Sequence, residues 1–458
     1  MLFEEDNVEK TEVNQEDNQL EATEPSNEEA SENKETDNSG QESEMKPEQK
    51  KTKAKKTYTK GQLVFVSVVA VFLAIVLSTQ ITFIVFSSIY KTNTYESNKN
   101  SYFFSLLNEL QGLYDANYLY SDEIDISADD MLKQYVALTG DKYAYYYTAE
   151  EWYEEQNSLQ GTNAGIGAYV TVNYLDDVIY IIHVFKDSPA EQAGLQAGDI
   201  VIGVDGQMFK DIGVDVGFNS IAGEAGTTVT LIVDRNGSQI EITSTRGHYT
   251  YESVLTKIID QDGHKIGYIH ILEFMGTTPE EFKKASKQMI SAGCEGIVID
   301  LRNNPGGQLD SIVDVLDYIE PAGEIVQIYK KDGTKLASFN SDRAELDIPL
   351  AVLCNESTAS AAELMTRSLM DTGKAESFGV LTYGKGCGQS GFKLSNGSVV
   401  YITSFYYKTP QSDNYDGIGI TPTHVVDYPE GVNSTNLFII PMEDDAQLQA
   451  ALNSLINK

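Results

Sequence analysis

Two short segments in the C-terminal half of the chain contain residue types that could perform nucleophilic catalysis. Ser360 lies within Asn-Glu-Ser-Thr-Ala-Ser-Ala-Ala-Glu, over residues 355–363, and Lys385 lies within Gly-Lys-Gly-Cys-Gly-Gln, over residues 384–389. A serine hydroxyl becomes an effective nucleophile when a base removes its proton, and a lysine amine can be that base if burial keeps it neutral. The two segments therefore suggest acyl transfer by a serine with a lysine base.

Other pairs of nucleophile and base have weaker support. None of the five histidines lies in a motif that would make it the base for Ser360. The chain also has no Gly-X-Ser-X-Gly segment. Cys387 lies between Lys385 and Gln389 and could be a thiol nucleophile, but it lacks a nearby histidine. Three widely spaced cysteines predict neither a disulfide framework nor a metal site, so we expect no metal and no cofactor.

The pattern around Ser360 predicts how it is positioned. A buried strand over 349–354 is followed by a turn and a helix, which places Ser360 at the helix start and makes the N–H of Ala361 available for a developing oxyanion. A similar strand, turn and helix holds Gly306 and Gly307, either of which could supply a second N–H donor. Each feature alone is weak, because a serine at a helix start is usually only a cap.

These elements belong to a region of alternating apolar strands and helices. Residues 248–430 are predicted to form an α/β domain whose mixed sheet has a partly antiparallel edge. Residues 98–157 show helical periodicity, and residues 431–458 predict a C-terminal helical segment of polar character.

The N-terminal part of the chain has a different composition. The whole chain has 458 residues and a net charge of −36, which disfavours a nucleic-acid partner. Residues 1–60 predict a disordered tail, in which 16 acidic residues and two lysines in 1–45 precede seven lysines and one glutamate in 46–60. Residues 61–90 contain no charged side chain and predict a single transmembrane helix. The lysines before this span place the tail in the cytoplasm and the rest of the chain outside the membrane.

Residues 158–247 contain three separated motifs that together resemble a PDZ domain. They are GIGAYV from Gly165, DSPAEQAGLQAGDIVIGVDG from Asp187, and GTTVTLIVDRNG from Gly226. The resemblance implies that Gly165, Ile166 and Gly167 present backbone N–H groups to the terminal carboxylate of a peptide, which adds to a sheet edge as a strand. A PDZ fold that only packs against the catalytic unit is the alternative.

The remaining motifs resemble the C-terminal processing peptidases, which are serine endopeptidases that contain a PDZ domain. DLRNNPGG, STASAAE and YGKGCGQ occur in the order and spacing of that family, with DKYAYYYTAEE before the PDZ motifs, so the resemblance covers about residues 100 to 430. It implies Ser360 as the nucleophile, Lys385 as the general base and Gln389 as the residue that orients the lysine amine. It also implies substrates with free C-termini, an extracytoplasmic location and a family tendency toward homodimers.

The chain departs from the family pattern at two positions. Ala362 replaces a further serine, which should not affect catalysis because Ser360 is present. Ala222 replaces an arginine that is thought to help the PDZ domain signal peptide occupancy in relatives, so ligand-gated activation is in doubt. A peptide-binding adaptor that kept the fold without catalysis is the rival interpretation.

Overall fold

The computed structural model describes residues 101–120, 126–342 and 346–457. These residues form two compact units, of which the first in sequence ends at Ile126 and the second begins at Ser127. In the first unit, residues 101–117 form helix α1. No helix within these described ranges has the length and apolar composition that crossing a bilayer requires. The predicted cytoplasmic tail and the predicted transmembrane helix over 61–90 lie outside the described residues.

The second unit opens with a segment of two capped helices and a short strand. Its elements are α2 (Ala128–Leu138), β1 (Tyr145–Tyr147) and α3 (Ala149–Leu159). Each helix begins with a capping box, in which the N-cap hydroxyl accepts from the backbone N–H three residues later and the acidic side chain there accepts from the N-cap N–H. The pairs are Ser127 with Asp130 in α2 and Thr148 with Glu151 in α3. Both helices begin within the predicted helical segment over 98–157, and β1 was not predicted.

The next elements form a small β-rich domain where the PDZ domain was predicted. They are β2 (Thr162–Gly165), β3 (Ala168–Asn173), β4 (Val178–Val184), α4 (Pro189–Ala193), β5 (Ile200–Val204), β6 (Gln207–Met208), α5 (Phe209–Ile212), α6 (Val214–Ile221), β7 (Thr228–Arg235), β8 (Ser238–Thr245) and β9 (Gly247–Thr250). The sheet order is β3-β4-β5-β7-β8, with β6 on β5, and β2 pairs separately with β9. Strand β3 is therefore at an edge of the sheet.

Helix α4 forms as its sequence predicts. Ser188 accepts a hydrogen bond from the backbone N–H of Glu191, and Pro189 occupies the first turn, where a missing N–H costs nothing. The helix ends at Gly194, whose φ of 84° is the left-handed conformation that favours glycine.

The remaining elements form the α/β core. They are β10 (Val254–Gln261), β11 (His264–Ile271), α7 (Thr278–Ser291), β12 (Gly296–Asp300), α8 (Leu309–Ile319), β13 (Gly323–Tyr329), β14 (Lys335–Ser341), β15 (Leu350–Cys354), α9 (Ala361–Asp371), β16 (Ala375–Gly379), β17 (Cys387–Lys393), β18 (Val399–Lys408), β19 (His424–Val425) and α10 (Ala446–Ile456). The central sheet has the order β10-β11-β12-β15-β16-β19, and only β10 runs antiparallel to its neighbour. The predicted mixed sheet with an antiparallel edge is confirmed.

Helices cover both faces of this sheet, so its central strands are apolar on both sides. Ile297 and Ile299 of β12 pack with α7, α8 and α9 on one face, and Val298 packs with α10 on the other. Helix α10 was predicted to be polar, but Leu448 and Leu452 are fully buried against the sheet. It is therefore an integral layer of the core.

A second, antiparallel sheet packs against α8. Its order is β1-β18-β13-β14, with β17 also paired to β18. The segment Ser-Asn-Gly-Ser over residues 395–398 is a hairpin turn signal between β17 and β18, whereas the other strand pairs of this sheet have no such local signal. Pairing of β1 with β18 joins residues 145–147 to residues 399–401, and it ties the N-terminal segment of this unit to the core.

Candidate active site

Ser360 lies at the junction between a buried strand and a helix, as predicted. Strand β15 ends at Cys354, and α9 begins at Ala361 directly after the serine. The turn is fixed by Thr358, whose hydroxyl donates to the carbonyl of Leu301 at 2.8 Å and accepts from the N–H of Asn355 at 2.8 Å.

The backbone of Ser360 is itself strained. Its φ of 56° and ψ of −119° are unusual for a residue with a side chain, and such a conformation costs on the order of 1–3 kcal/mol. It persists because the turn around it is held on several sides.

The loop of residues 302–308 lies directly against this turn. A Cβ atom at Gly306 would be 2.6 Å from the Cβ of Ser360, which is closer than two carbon atoms can approach, so this position requires glycine. The N–H of Gly306 donates to Asn304 Oδ1 at 2.8 Å. Within the described residues, the N–H groups of Gly307 and Ala361 have no hydrogen-bond partner. Gly306 is therefore engaged, whereas Gly307 and Ala361 retain free donors.

Glu363 connects the turn of Ser360 to the loop of Lys385. Its fully buried carboxylate accepts hydrogen bonds from the N–H of Ser360 at 2.9 Å and the N–H of Lys385 at 2.8 Å. The other oxygen accepts from the N–H of Gly384 at 2.7 Å and the hydroxyl of Thr382 at 2.6 Å. Burial raises the pKa of Glu363, and these hydrogen bonds oppose that rise. Glu363 therefore holds two loops together.

The side chain of Lys385 is half-buried, with its amine held between an amide and an aromatic ring. Lys385 Nζ donates to Gln389 Oε1 at 3.2 Å, and it lies 4.5 Å from the ring centroid of Tyr143. Burial lowers the pKa of Lys385, although the negative groups nearby, among them Asp141 and Glu363, act in the opposite direction. The net effect favours the neutral amine that a general base requires.

Tyr407 lies between the serine and the lysine loop. Its hydroxyl is 2.6 Å from the carbonyl oxygen of Lys385 and 3.2 Å from Ser360 Oγ. The tyrosine hydroxyl therefore donates toward both oxygens, and its shorter hydrogen bond is to the carbonyl oxygen of Lys385. Ser360 Oγ and Lys385 Nζ are not hydrogen-bonded to each other in this structure. Sequence reasoning did not select Tyr407, because it lies within a strand and far from both motifs.

The environment of Cys387 argues against a thiol enzyme. The side chain is buried, and burial together with the neighbouring Asp416 raises the pKa of its thiol to about 12. A cysteine in this state is protonated near neutral pH, whereas the nucleophile is the thiolate.

The predicted peptide-binding loop lies beside the edge strand β3. Gly167 has a φ of 81°, and a Cβ there would be 2.5 Å from the Cβ of Ser188, so only glycine fits. Gly165, Ile166 and Gly167 are all buried in this structure. The loop therefore leads directly into the strand at the edge of this sheet.

A cavity of about 370 Å³ connects β3 with the two loops of the catalytic region. Its lining includes Val170 and Thr171 from β3, together with Pro305 and Ser357, which precede Gly306 and Ser360 in the chain. An extended segment seated on the edge of β3 would therefore face the loops that carry Ser360.

Ala222 follows the last residue of α6 and is exposed. The arginine closest to this helix end is Arg246, whose guanidinium donates to the carbonyl oxygens of Ser220 at 2.7 Å and Ile221 at 2.9 Å. Arg246 therefore caps α6 and is not a free substitute for the arginine that relatives carry at position 222.

Comparison with known proteins agrees with this architecture. The model of peptidase family S41 matches residues 265–426, and the PDZ domain model matches residues 164–244. A carboxyl-terminal-processing protease of Synechocystis is 32% identical over 309 residues, which cover 67% of this chain and 71% of that protein. One from Picosynechococcus is 31% identical over 330 residues, covering 72% of this chain and 79% of that protein. A putative S41 protease structure from Bacteroides fragilis shares the fold, with a TM-score of 0.51, 19% identity and coverage of 76% and 96% of the two chains.

The fold and these relatives define a serine-type peptidase with a PDZ domain. The chain belongs to the carboxyl-terminal-processing proteases of peptidase family S41. The resemblance seen in the sequence motifs is thereby confirmed.

Proposed function

We propose that the chain is a membrane-anchored serine endopeptidase in which Ser360 is the nucleophile, Lys385 the general base and Gln389 the residue that orients the lysine amine. The observation that carries this proposal is the half-buried Lys385, whose amine is bonded to an uncharged amide oxygen at 3.2 Å. An amide accepts the hydrogen bond without adding the negative charge that would favour the ammonium form.

In the proposed reaction the Ser360 hydroxyl first turns its proton toward Lys385. The amine accepts the hydroxyl proton as Oγ attacks the scissile carbonyl carbon, and the carbonyl oxygen becomes an oxyanion. The lysine ammonium then donates that proton to the departing amine, which leaves Ser360 acylated. Water then gives a proton to Lys385 as its oxygen attacks the ester carbonyl. The lysine ammonium returns that proton to Ser360 Oγ as the ester bond breaks, and the second product leaves as a carboxylic acid, which ionises in water.

The N–H groups of Ala361 and Gly307 are the proposed oxyanion donors. Ala361 begins α9, where the positive end of the helix dipole adds to the hydrogen bond. Gly307 is preferred over Gly306 because the N–H of Gly306 is already bonded to Asn304. Removing one such donor in other acyl-transfer enzymes costs about 10²- to 10³-fold in kcat.

Peptide substrates with free C-termini are proposed to bind along β3. This strand lies at a sheet edge, and the cavity beside it reaches the catalytic loops, so strand addition would bring a bound peptide toward Ser360. The apolar span over 61–90 and the lysines before it favour an extracytoplasmic position for the protease.

The test is degradation of an unfolded protein by the full chain. We expect Ser360→Ala and Lys385→Arg to abolish cleavage, the latter because a guanidinium cannot deprotonate in this pH range. Cys387→Ala is the matched control in the same loop and should remain active. Activity that survives Ser360→Ala but not Cys387→Ala would overturn the mechanism. Binding of C-terminal peptides by a wild-type chain that cleaves nothing would favour the adaptor.

A further inference from the structure

The turn after α2 reaches the catalytic region through Asp141. Its carboxylate accepts two hydrogen bonds from one residue of β18, from the N–H of Thr403 at 2.9 Å and from the Thr403 hydroxyl at 2.8 Å. The N–H of Tyr143 donates to the same carboxylate at 3.1 Å. Asp141 and Thr403 are 262 positions apart in the chain, and the pairing of β1 with β18 holds them together.

Thr403 in turn contacts the proposed orienting residue. Gln389 Nε2 donates to Thr403 Oγ1 at 3.5 Å, and Gln389 Oε1 accepts from Lys385 Nζ at 3.2 Å. The four side chains therefore form one chain of hydrogen bonds that begins at the lysine amine and ends at the carboxylate.

The ionised carboxylate sets the direction of every bond in this chain. A carboxylate only accepts, so the Thr403 hydroxyl must donate to Asp141 and present its lone pairs to Gln389. Only the NH₂ end of the amide can donate to those lone pairs, so Oε1 faces Lys385. Without that constraint the amide could rotate by 180° and present its NH₂ group to the amine, which would leave the lysine without an acceptor.

Asp141 is ionised in this setting. Burial opposes its ionisation, but the hydrogen bonds from Thr403 and Tyr143 outweigh burial and lower the pKa of its carboxyl. Two side chains, Thr403 and Gln389, separate the negative charge of Asp141 from the amine of Lys385. Direct contact between a carboxylate and the amine would favour the ammonium form far more strongly.

We infer that Asp141 is a positioning residue for the catalytic site, acting through Thr403 to hold the amide of Gln389 with its oxygen toward Lys385. This inference rests on the proposed function of Lys385 and Gln389. It assigns a positioning role in the catalytic site to the segment before the PDZ domain.

The first test is kinetic and uses the full chain. Asp141→Asn should lower kcat by about 10- to 100-fold, the range expected when a catalytic group is misplaced, with KM for a peptide substrate nearly unchanged. Thr403→Val should have a similar effect because it lacks the hydroxyl, whereas Thr403→Ser keeps the hydroxyl and should stay within about threefold of wild type.

The pH profile separates positioning from charge. Loss of the Asp141 charge alone would lower the pKa of Lys385, so its neutral fraction at a given pH would increase. In a plot of kcat against pH for Asp141→Asn, we therefore expect the acid limb to move to lower pH and the maximal kcat to fall. A limb that moves with an unchanged plateau would show an electrostatic effect only and would overturn the inference.

A double-mutant comparison identifies the route of the effect. If Asp141 acts through Gln389, then Asp141→Asn should cause no further loss in a Gln389→Ala background. Multiplying losses would contradict the inference. Asp129→Asn is the matched control, because Asp129 also anchors this segment, by accepting from the Tyr146 hydroxyl at 2.6 Å, but has no bond to the chain of residues at Gln389. It should retain wild-type kcat.

A spectroscopic readout keeps this inference separate from the proposed function. In the Ser360→Ala chain labelled with ¹⁵N-glutamine, the side-chain amide of Gln389 should give one sharp pair of proton signals. Asp141→Asn should broaden that pair or produce a second one, as the amide samples both orientations. An unchanged pair would reject the positioning role, and this result would hold even if the wild-type chain cleaved no substrate. Loss of the proposed function would instead appear as inactivity of the wild type.

Discussion

The amine of Lys385 lies where burial and nearby acidic groups have opposite effects on its pKa. Burial is the larger influence and lowers the pKa, while Asp141 and Glu363 raise it. Tyr143 affects the pKa of Lys385 in both directions. Its ring excludes water from the amine, and at 4.5 Å it can also stabilise a cation.

Substitution of Tyr143 should separate these two contributions. Tyr143→Ala admits water, so we expect the pKa of Lys385 to rise and the acid limb of kcat/KM to move to higher pH. Tyr143→Leu still shields the amine from water but removes the ring that stabilises the ammonium form. The pKa of Lys385 should then fall, and the acid limb of kcat/KM should move to lower pH. Both limbs are measured with a peptide substrate across the pH range in which the enzyme is folded.

Tyr145→Ala is the matched control for these variants. Tyr145 lies in the same segment, but its side chain is 61% exposed, so its loss should leave the pH profile unchanged. Equal shifts in Tyr145→Ala and Tyr143→Ala would show that the segment as a whole, and not the ring on Lys385, controls the pKa.

At this scale, the sequence predicted the residues whose roles are encoded in local motifs. Ser360, Lys385 and Gln389 lie within two short segments, and the helix start and turn that present them are local features. Asp141 and Thr403 could not be predicted in the same way. Their contact depends on strand pairing across most of the chain, and neither residue is unusual in its own segment.

At the scale of elements, Glu363 joins helix α9 to the loop that carries Lys385. Each of its two oxygens accepts two hydrogen bonds, and three of the four donors are backbone N–H groups. This arrangement explains how the serine and the lysine keep a fixed spacing although they lie on separate loops.

Glu363→Gln should weaken that connection. A glutamine offers one acceptor oxygen and turns an NH₂ group toward donors, so at least one buried N–H loses its partner at a cost of about 1–3 kcal/mol. We expect a lower thermal midpoint and a lower kcat. Glu376→Gln is the control, because that carboxylate lies on strand β16 and its side chain is 44% exposed. This substitution should leave the thermal midpoint unchanged.

The elements themselves were predictable to different degrees. The apolar strands β12 and β15 and the helices that follow them have strong local signals, because a parallel strand covered on both faces is a continuous apolar run. The second sheet lacks such a signal. Pairing of β13 with β18 joins residues 327–329 to 406–408, and strand β14 is too exposed for its sequence to indicate its partner.

At the scale of the whole molecule, charge is distributed unevenly around the apolar span over 61–90. Seven lysines in residues 46–60 precede the span, and only Lys91 and Lys99 follow it closely. By the positive-inside rule, such an asymmetry predicts that the N-terminal side lies in the cytoplasm. The peptidase would then act on proteins outside the membrane, while the acidic tail remains inside.

Protease protection of the full chain in intact bacterial spheroplasts tests this topology. Added trypsin should digest the residues after the span, and an epitope at the N-terminus should stay protected until the membrane is broken. Replacing the seven lysines of 46–60 by asparagine is the matched variant, which should give a mixed orientation because the charge bias is lost.

If trypsin reached the peptidase only after lysis, the orientation would be the reverse of the one proposed. If the chain were recovered without membranes, the span would not be an anchor. A protected tail with a digested peptidase would place Ser360 and Lys385 outside the cell membrane, where the substrates must then be found.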